Sequence, residues 1–261
     1  MMIEMLNMEA LDVVVAGVII CFAAAAQSAA GFGSALFAVP LLVWLGIPLP
    51  NVIALVATCS TTQTLMGVHT LRDDVPWRVS FITISVMLVG LVTGLILLKQ
   101  LATLNPDPIR LVMGCVLIFL VILQGVIRPK PVTKLHWSWG GLAFASAGFL
   151  GGVVGMNGPP LVLWSMAHDW STTKTRGYLF AVFSMVNPIQ ILLLTLTFGP
   201  SILYFVLLGI GFLPLIYLGS RIGLPAGNRM KKETLKRIAF ALLLLMGISA
   251  AIPVLVNLLQ Q

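Results

Sequence analysis

From Leu11 to Leu45 the chain carries no charge after Asp12, yet this apolar run cannot be one membrane helix. It exceeds the roughly 20 residues that cross some 30 Å of hydrocarbon, and Gln27-Ser28-Ala29-Ala30-Gly31-Phe32-Gly33-Ser34 interrupts it. A second run, Trp137 to Ala167, is interrupted by Gly151-Gly152-Val153-Val154-Gly155-Met156-Asn157-Gly158-Pro159-Pro160. Glycine, proline and polar side chains break helices. In lipid a broken backbone persists only where protein or a wet cavity satisfies its N–H and C=O groups. Both runs, 11–45 and 137–167, are therefore expected to be helical hairpins whose bends lie within the membrane.

Composition excludes the soluble alternatives. Hydrophobic residues make up 59% and charged residues 9% of the chain, against roughly 25% charged in an ordinary globular domain. With a mean hydropathy of +1.06 there are too few charges to cover a soluble surface. Cys21, Cys59 and Cys115 sit inside apolar runs, unlike the cysteines of a secreted disulfide scaffold. Ala23 to Ala26 looks like a leader cleavage site, but Glu4, Glu9 and Asp12 precede it with no Lys or Arg, the reverse of a signal sequence.

Six further spans are expected at 52–71, 77–98, 110–127, 177–198, 201–220 and 238–258. If the N-terminus is outside and each hairpin enters and leaves on one side, every loop is assigned. Arg72, Arg78, Arg128, Lys130, Lys134, Lys174, Arg176, Arg221, Arg229, Lys231, Lys232, Lys236 and Arg237 then fall inside, leaving only Lys99 and Arg110 outside. That satisfies the positive-inside rule. The net charge of +7 thus reads as topology, and no nucleic-acid partner is expected. The lipid bilayer is the expected partner: a multi-pass protein of the cytoplasmic (inner) membrane with both termini outside. The run Arg221 to Arg237 reads as a loop anchor, or as a contact for anionic lipid.

The two interrupted runs also resemble each other. Val39-Pro40-Leu41-Leu42-Val43-Trp44 lies 120 residues before Pro159-Pro160-Leu161-Val162-Leu163-Trp164; each follows a Gly-rich bend and precedes three spans. The expected fold is an all-α membrane protein built as a repeat, residues 1–127 and 137–261, joined by a basic cytoplasmic linker at 128–136. Three crossings per half is odd, so the halves should be inverted. Inverted repeats with paired broken helices are a signature of secondary transporters, with the substrate near the midplane.

The Gly-rich bend before Val39-Pro40-Leu41-Leu42, and Gly152-x-x-Gly155-x-x-Gly158-Pro159-Pro160-Leu161, resemble the sulfite exporter TauE/SafE family of bacterial anion transporters. The resemblance covers essentially the whole chain. It implies export or uptake of sulfite, organosulfonates or related sulfur-containing anions. Phe32, Ser34, Ala35, Met156 and Asn157 stand where more glycine is common in that family.

An anion stripped of water in the membrane needs compensation, from a buried cation or from backbone N–H groups at helix N-termini. No charged residue falls at the centre of a span, whereas helices starting near Gly33 to Leu36 and near Gly158 to Leu161 begin inside the membrane. Glycine permits close approach to a ligand, and proline suits a first helical turn. Candidate binding residues at the bends are Gln27, Ser28, Gly31, Gly33, Ser34, Asn157, Gly158 and Pro159. Gly151, Gly152 and Gly155 read as packing or binding glycines, and Gly90, Gly94, Gly148 and Gly152 have the small-xxx-small spacing of packed helices.

In the next spans Gln63 and Asn187 join the candidates, the latter beside a kinking Pro188. Thr58, Ser60, Thr61, Thr62 and Thr64 line the pathway or bond their own helix carbonyls. Arg176 either draws anions to the inner mouth or anchors the loop, and His69, His136 and His168 fall near membrane faces. No metal cluster, phosphate loop or catalytic constellation is visible, so neither a cofactor nor enzymatic activity is expected. The leading reading is a secondary transporter of a small sulfur oxyanion, working by alternating access, with export favoured. A homodimer is admissible and no coupling ion is singled out. The competing reading is an intramembrane enzyme or assembly factor.

Overall fold

A computed structural model describes residues 10–30, 32–102, 114–116 and 136–229, with the side chains of 30 and 224–229 excepted. The spans expected at 238–258 and, apart from 114–116, at 110–127 lie outside the described residues, as do Gly31 and the linker before His136. The described chain is helical: α1 (Ala10–Ala30), α2 (Ser34–Trp44), α3 (Leu49–Leu71), a 3-10 turn (Arg72–Asp74), α4 (Trp77–Ala102), α5 (Trp137–Val154), α6 (Gly158–Met166), α7 (Thr172–Phe198), α8 (Ile202–Gly211) and α9 (Leu213–Arg229). Five of these helical segments are long and apolar enough to cross a membrane, or six if α8 and α9 count as one bent span.

Each interrupted run divides into a long and a short helix. α1 and α5 have 21 and 18 residues, about 31 and 27 Å at 1.5 Å per residue, whereas α2 and α6 have 11 and 9, about 16 and 14 Å. The arms are unequal: one matches the hydrocarbon thickness, the other about half of it. Glycine makes both breaks possible. Gly33, before α2, has φ 109°, and Gly155, after α5, has φ 73°, a left-handed conformation that costs an L-residue with a Cβ about 1–2 kcal/mol. At the second break the Gly155 N–H donates to Gly151 O (3.0 Å) and the Met156 N–H to Leu150 O (3.3 Å), which turns the chain into α6.

The run 201–220 departs from the expected single span. α8 and α9 meet at Phe212 with a bend of 54°. Pro214 has no N–H to offer the Ile210 carbonyl one turn back, and its ring crowds that carbonyl, so a straight helix cannot pass. Pro188, by contrast, lies inside an unbroken α7.

The most extensive helix contacts pair α4 with α5, α1 with α9 and α3 with α7. If α1, α2, α3 and α4 are exchanged with α5, α6, α7 and the α8–α9 pair, this set of contacts maps onto itself. Glycine faces make the first two pairings close. Cβ atoms at Gly90 or Gly148 would overlap backbone atoms of Ala145 and Met87, and at Gly219 or Gly223 those of Cys21 and Ala25. Without a hydrophobic drive in lipid, such backbone approach is what van der Waals packing of helices requires. A ring cluster of Phe144, Trp164, His168, Trp170 and Tyr178 locks α6 to α7, and the Tyr178 hydroxyl ties it to Thr83 of α4 (2.9 Å).

Candidate functional site

The two breaks open onto one small, partly open cavity of about 30 Å³. α1 contributes Gln27; the first break and α2 contribute Gly33, Ser34, Ala35 and Leu36. The second break contributes Gly155, Met156, Asn157 and Gly158, and α3 and α7 close the sides. Neither short helix has a side-chain cap at its N-terminus. Their first-turn N–H groups have no helical acceptor and carry the positive end of the helix dipole. The donors are unequal, because Pro159 and Pro160 have no N–H: the first turn of α6 offers Gly158 alone, that of α2 offers Ser34, Ala35 and Leu36.

Of the sequence candidates, Gln27, Gly33, Ser34, Asn157, Gly158 and Asn187 line this cavity. Gln27 is 1% exposed. Its Nε2 reaches Ser60 Oγ at 3.5 Å, and its Oε1 is a buried oxygen without a partner. A carboxamide can be turned end for end. Turned, its oxygen accepts from the Ser60 hydroxyl and its NH₂ takes the place of the orphaned acceptor, where only an incoming acceptor can satisfy it.

Ser28, Gln63 and Pro159 are not in the lining. Gln63 is spent on structure: its two N–H groups are shared among Ala24 O (2.9 Å), Ser28 Oγ (2.6 Å) and Ser220 Oγ (3.0 Å), joining α1, α3 and α9. Ser28 is its partner. Pro159 is buried in the first turn of α6. Gly31 lies outside the described residues. Thr58, Thr61, Thr62 and Thr64 donate to their own helix carbonyls at 2.7–3.2 Å, which leaves α3 less polar toward the cavity than its sequence suggests.

Arg176 stands apart, within α7 and half-buried. Its Nη2 donates to Ser28 O at 3.4 Å and its guanidinium lies 5.8 Å from the Phe180 ring centroid.

Two further polar residues line the cavity: Ser60, for which the sequence left lining and self-bonding open, and Gln190, which was not among the candidates. Ser60 shares a face of α3 with Ile53, Val56 and Ala57, and Gln190 lies one turn beyond Asn187; the i, i+3, i+4, i+7 spacing is the signal that finds them. Gln190 Nε2 donates to Gly151 O at 2.8 Å and so holds the end of α5 against α7. Among the described residues no group of three His, Cys, Asp or Glu is placed to hold a metal ion.

Span-length helices around an uncharged polar cavity, with two broken helices opening into it, describe a multi-pass membrane protein of transporter type. The chain belongs to the sulfite exporter TauE/SafE family, whose model matches residues 16–250. It is 22% identical over 231 residues, 87% of this chain and 89% of the other, to the "Probable sulfite/organosulfonate exporter TauE" of Cupriavidus necator. No solved structure matches.

Proposed function

We propose that the protein is a secondary transporter that exports a small sulfur-containing oxyanion, sulfite or an organosulfonate, by alternating access between inverted halves. The observation that carries this reading is the shared cavity: both breaks, both uncapped N-termini and the amides of Gln27, Asn157 and Asn187 converge on one space. Amide and hydroxyl donors around a cavity without a carboxylate suit an anion, because each hydrogen bond to a charged acceptor contributes about 1.5–3 kcal/mol. The helix contacts that survive exchange of the two halves support a twofold repeat, and its inversion rests on the odd number of crossings expected for each half. The Cupriavidus relative's name supports the choice of solute.

An inside-negative potential favours anion exit by about 2.3 kcal/mol per charge per 100 mV. Export therefore needs no coupling ion in this reading. As the halves rock, the anion keeps its donors and exchanges one solvated mouth for the other. With the N-terminus outside, Arg176 lies at the inner mouth.

The test is flux into proteoliposomes of labelled sulfite and methanesulfonate, with sulfate and chloride as competitors. Saturable sulfite or sulfonate flux that falls in Gln27→Ala and Asn157→Ala is the expected result. Absence of flux in the wild type rejects the substrate class, and unchanged flux in both variants rejects the cavity as the site.

A further inference from the structure

We propose that Arg176 forms a peripheral anion subsite at the inner mouth, separate from the cavity, at which a small oxyanion takes the guanidinium from the Ser28 carbonyl. Its part in flux rests on the transport reading above; the subsite itself rests on the following geometry.

Two buried side-chain polar atoms lack a partner among the described residues: Gln27 Oε1 and Arg176 Nε. Nε and Nη2 form one edge of the guanidinium, the edge that grips a carboxylate or sulfonate through two parallel N–H···O bonds. Here Nε is idle and Nη2 has only the carbonyl at 3.4 Å, well beyond the 2.7–2.9 Å of a charge-assisted bond. Arg176 meets no carboxylate among the described residues, whose one ion pair joins Arg72 to Asp73. A guanidinium with a free donor edge and no carboxylate beside it is open to an oxyanion.

Position adds to the argument. Arg176 is the fifth residue of α7, near the positive end of that helix, where the dipole disfavours a cation and favours an anion beside it. Lys174 does not compete for an anion at this edge, being turned over the Trp170 ring at 5.2 Å. Arg176 cannot serve the cavity directly. Its guanidinium rests on Phe180, whose ring packs flush against Gly67 of α3. Positions 176, 180, 183 and 187 follow one face of α7, and Phe183 and Asn187 already line the cavity. The anion thus meets two stations on one helix face, a charged one at Arg176 and an uncharged one at the cavity, with Phe180 between them. The first draws it out of water; the second holds it without a countercharge that would trap it.

Phenylglyoxal, which modifies arginine, tests the subsite on the full chain in detergent, with the Arg176 adduct read by peptide mass spectrometry. Methanesulfonate and sulfate are the probes. Either should slow modification at least five-fold relative to chloride at equal ionic strength, and do so equally in Asn157→Ala, whose cavity lacks a donor. Equal modification with and without the two anions overturns the proposal, and so does protection that disappears in Asn157→Ala. In flux, Arg176→Gln should raise KM about ten-fold from the Arg176 side alone when inside-out and right-side-out vesicles are compared. A change equal on both sides, with a lowered melting temperature, means a clip for α1 and not a subsite. Protection without any wild-type flux keeps the subsite and rejects the transport reading.

Discussion

Gly94 of α4 and Gly152 of α5 face each other so closely that a Cβ on Gly152 would lie 2.8 Å from the Gly94 Cα and 2.5 Å from Leu91 O. Backbone meets backbone there, with no flexible side chain to give way. Gly152→Leu should therefore wedge α4 from α5 and lower stability by about 1–3 kcal/mol or more, the usual cost of overpacking. Gly141 lies on the same helix, and nothing stands within 4 Å of a Cβ added there. Gly141→Leu should melt like the wild type. Thermal unfolding in detergent, followed by intrinsic fluorescence, compares the two; equal melting temperatures would contradict the close apposition.

Gln63 separates structure from binding. Its amide ties α3 to two elements, α1 and α9, and does not line the main cavity, so Gln63→Leu should loosen both contacts and cost about 0.5–1.5 kcal/mol of stability for each hydrogen bond lost. The flux KM of the protein that remains folded should stay within about two-fold of wild type. A tenfold rise in KM at unchanged melting temperature would return Gln63 to the binding site.

The positive φ values at the breaks make unequal demands. A Cβ at Gly33 would meet only Phe37 Cε2, at 3.8 Å, so Gly33→Ala carries conformational strain alone, about 1–2 kcal/mol. A Cβ at Gly155 would also lie 2.9 Å from Ile53 Cγ1, so Gly155→Ala should destabilise more. Ile53→Val keeps the Cγ1 that a Cβ at Gly155 would meet, whereas Ile53→Ala removes it and is the cleaner partner. It should recover part of the loss when combined with Gly155→Ala. A thermal-melt double-mutant cycle with coupling below 0.5 kcal/mol, about the additivity limit for independent sites, counts against the contact.

Much of this architecture is written in local chemistry. The stretches Gln27 to Ser34 and Gly151 to Pro160 contain the breaks because their glycines take the positive φ that ends or redirects a helix, at Gly33 and Gly155, and the small-xxx-small spacing of Gly90, Gly94, Gly148 and Gly152 anticipates the α4–α5 contact. The bend at Phe212 escaped a reading based on apolar length, since Leu, Ile and Phe fill both arms; Pro214 was the available signal. Gly219 and Gly223 carry the same packing signature as the α4–α5 glycines and were hidden by the charge of Arg221 between them. Gln63 illustrates the harder limit. A sequence shows that an amide in a membrane needs partners, but only the arrangement of α1 and α9 decides that protein atoms supply them. Gln27, with an unpartnered Oε1, differs from Gln63 in its neighbours and not in its chemistry.

Charge inside the cavity gives the sharpest remaining prediction. Asn157 is 9% exposed, lines the cavity and has no side-chain cap bond to α6. Asn157→Asp is nearly isosteric and replaces the NH₂ donor by a carboxylate. At an effective dielectric near 20, two like charges about 4 Å apart repel by about 4 kcal/mol, roughly a thousand-fold in affinity. Asn157→Ala, which only deletes a donor, should cost about ten- to a hundredfold. A protonated carboxyl carries no charge and tolerates an anion beside it, and acidification supplies that form. Flux through Asn157→Asp should thus be weaker than through Asn157→Ala at neutral pH and recover on acidification, while Asn157→Ala shows no such recovery. Flux measured across pH in proteoliposomes of the two variants decides it: matching profiles would mean that the anion does not pass within reach of Asn157.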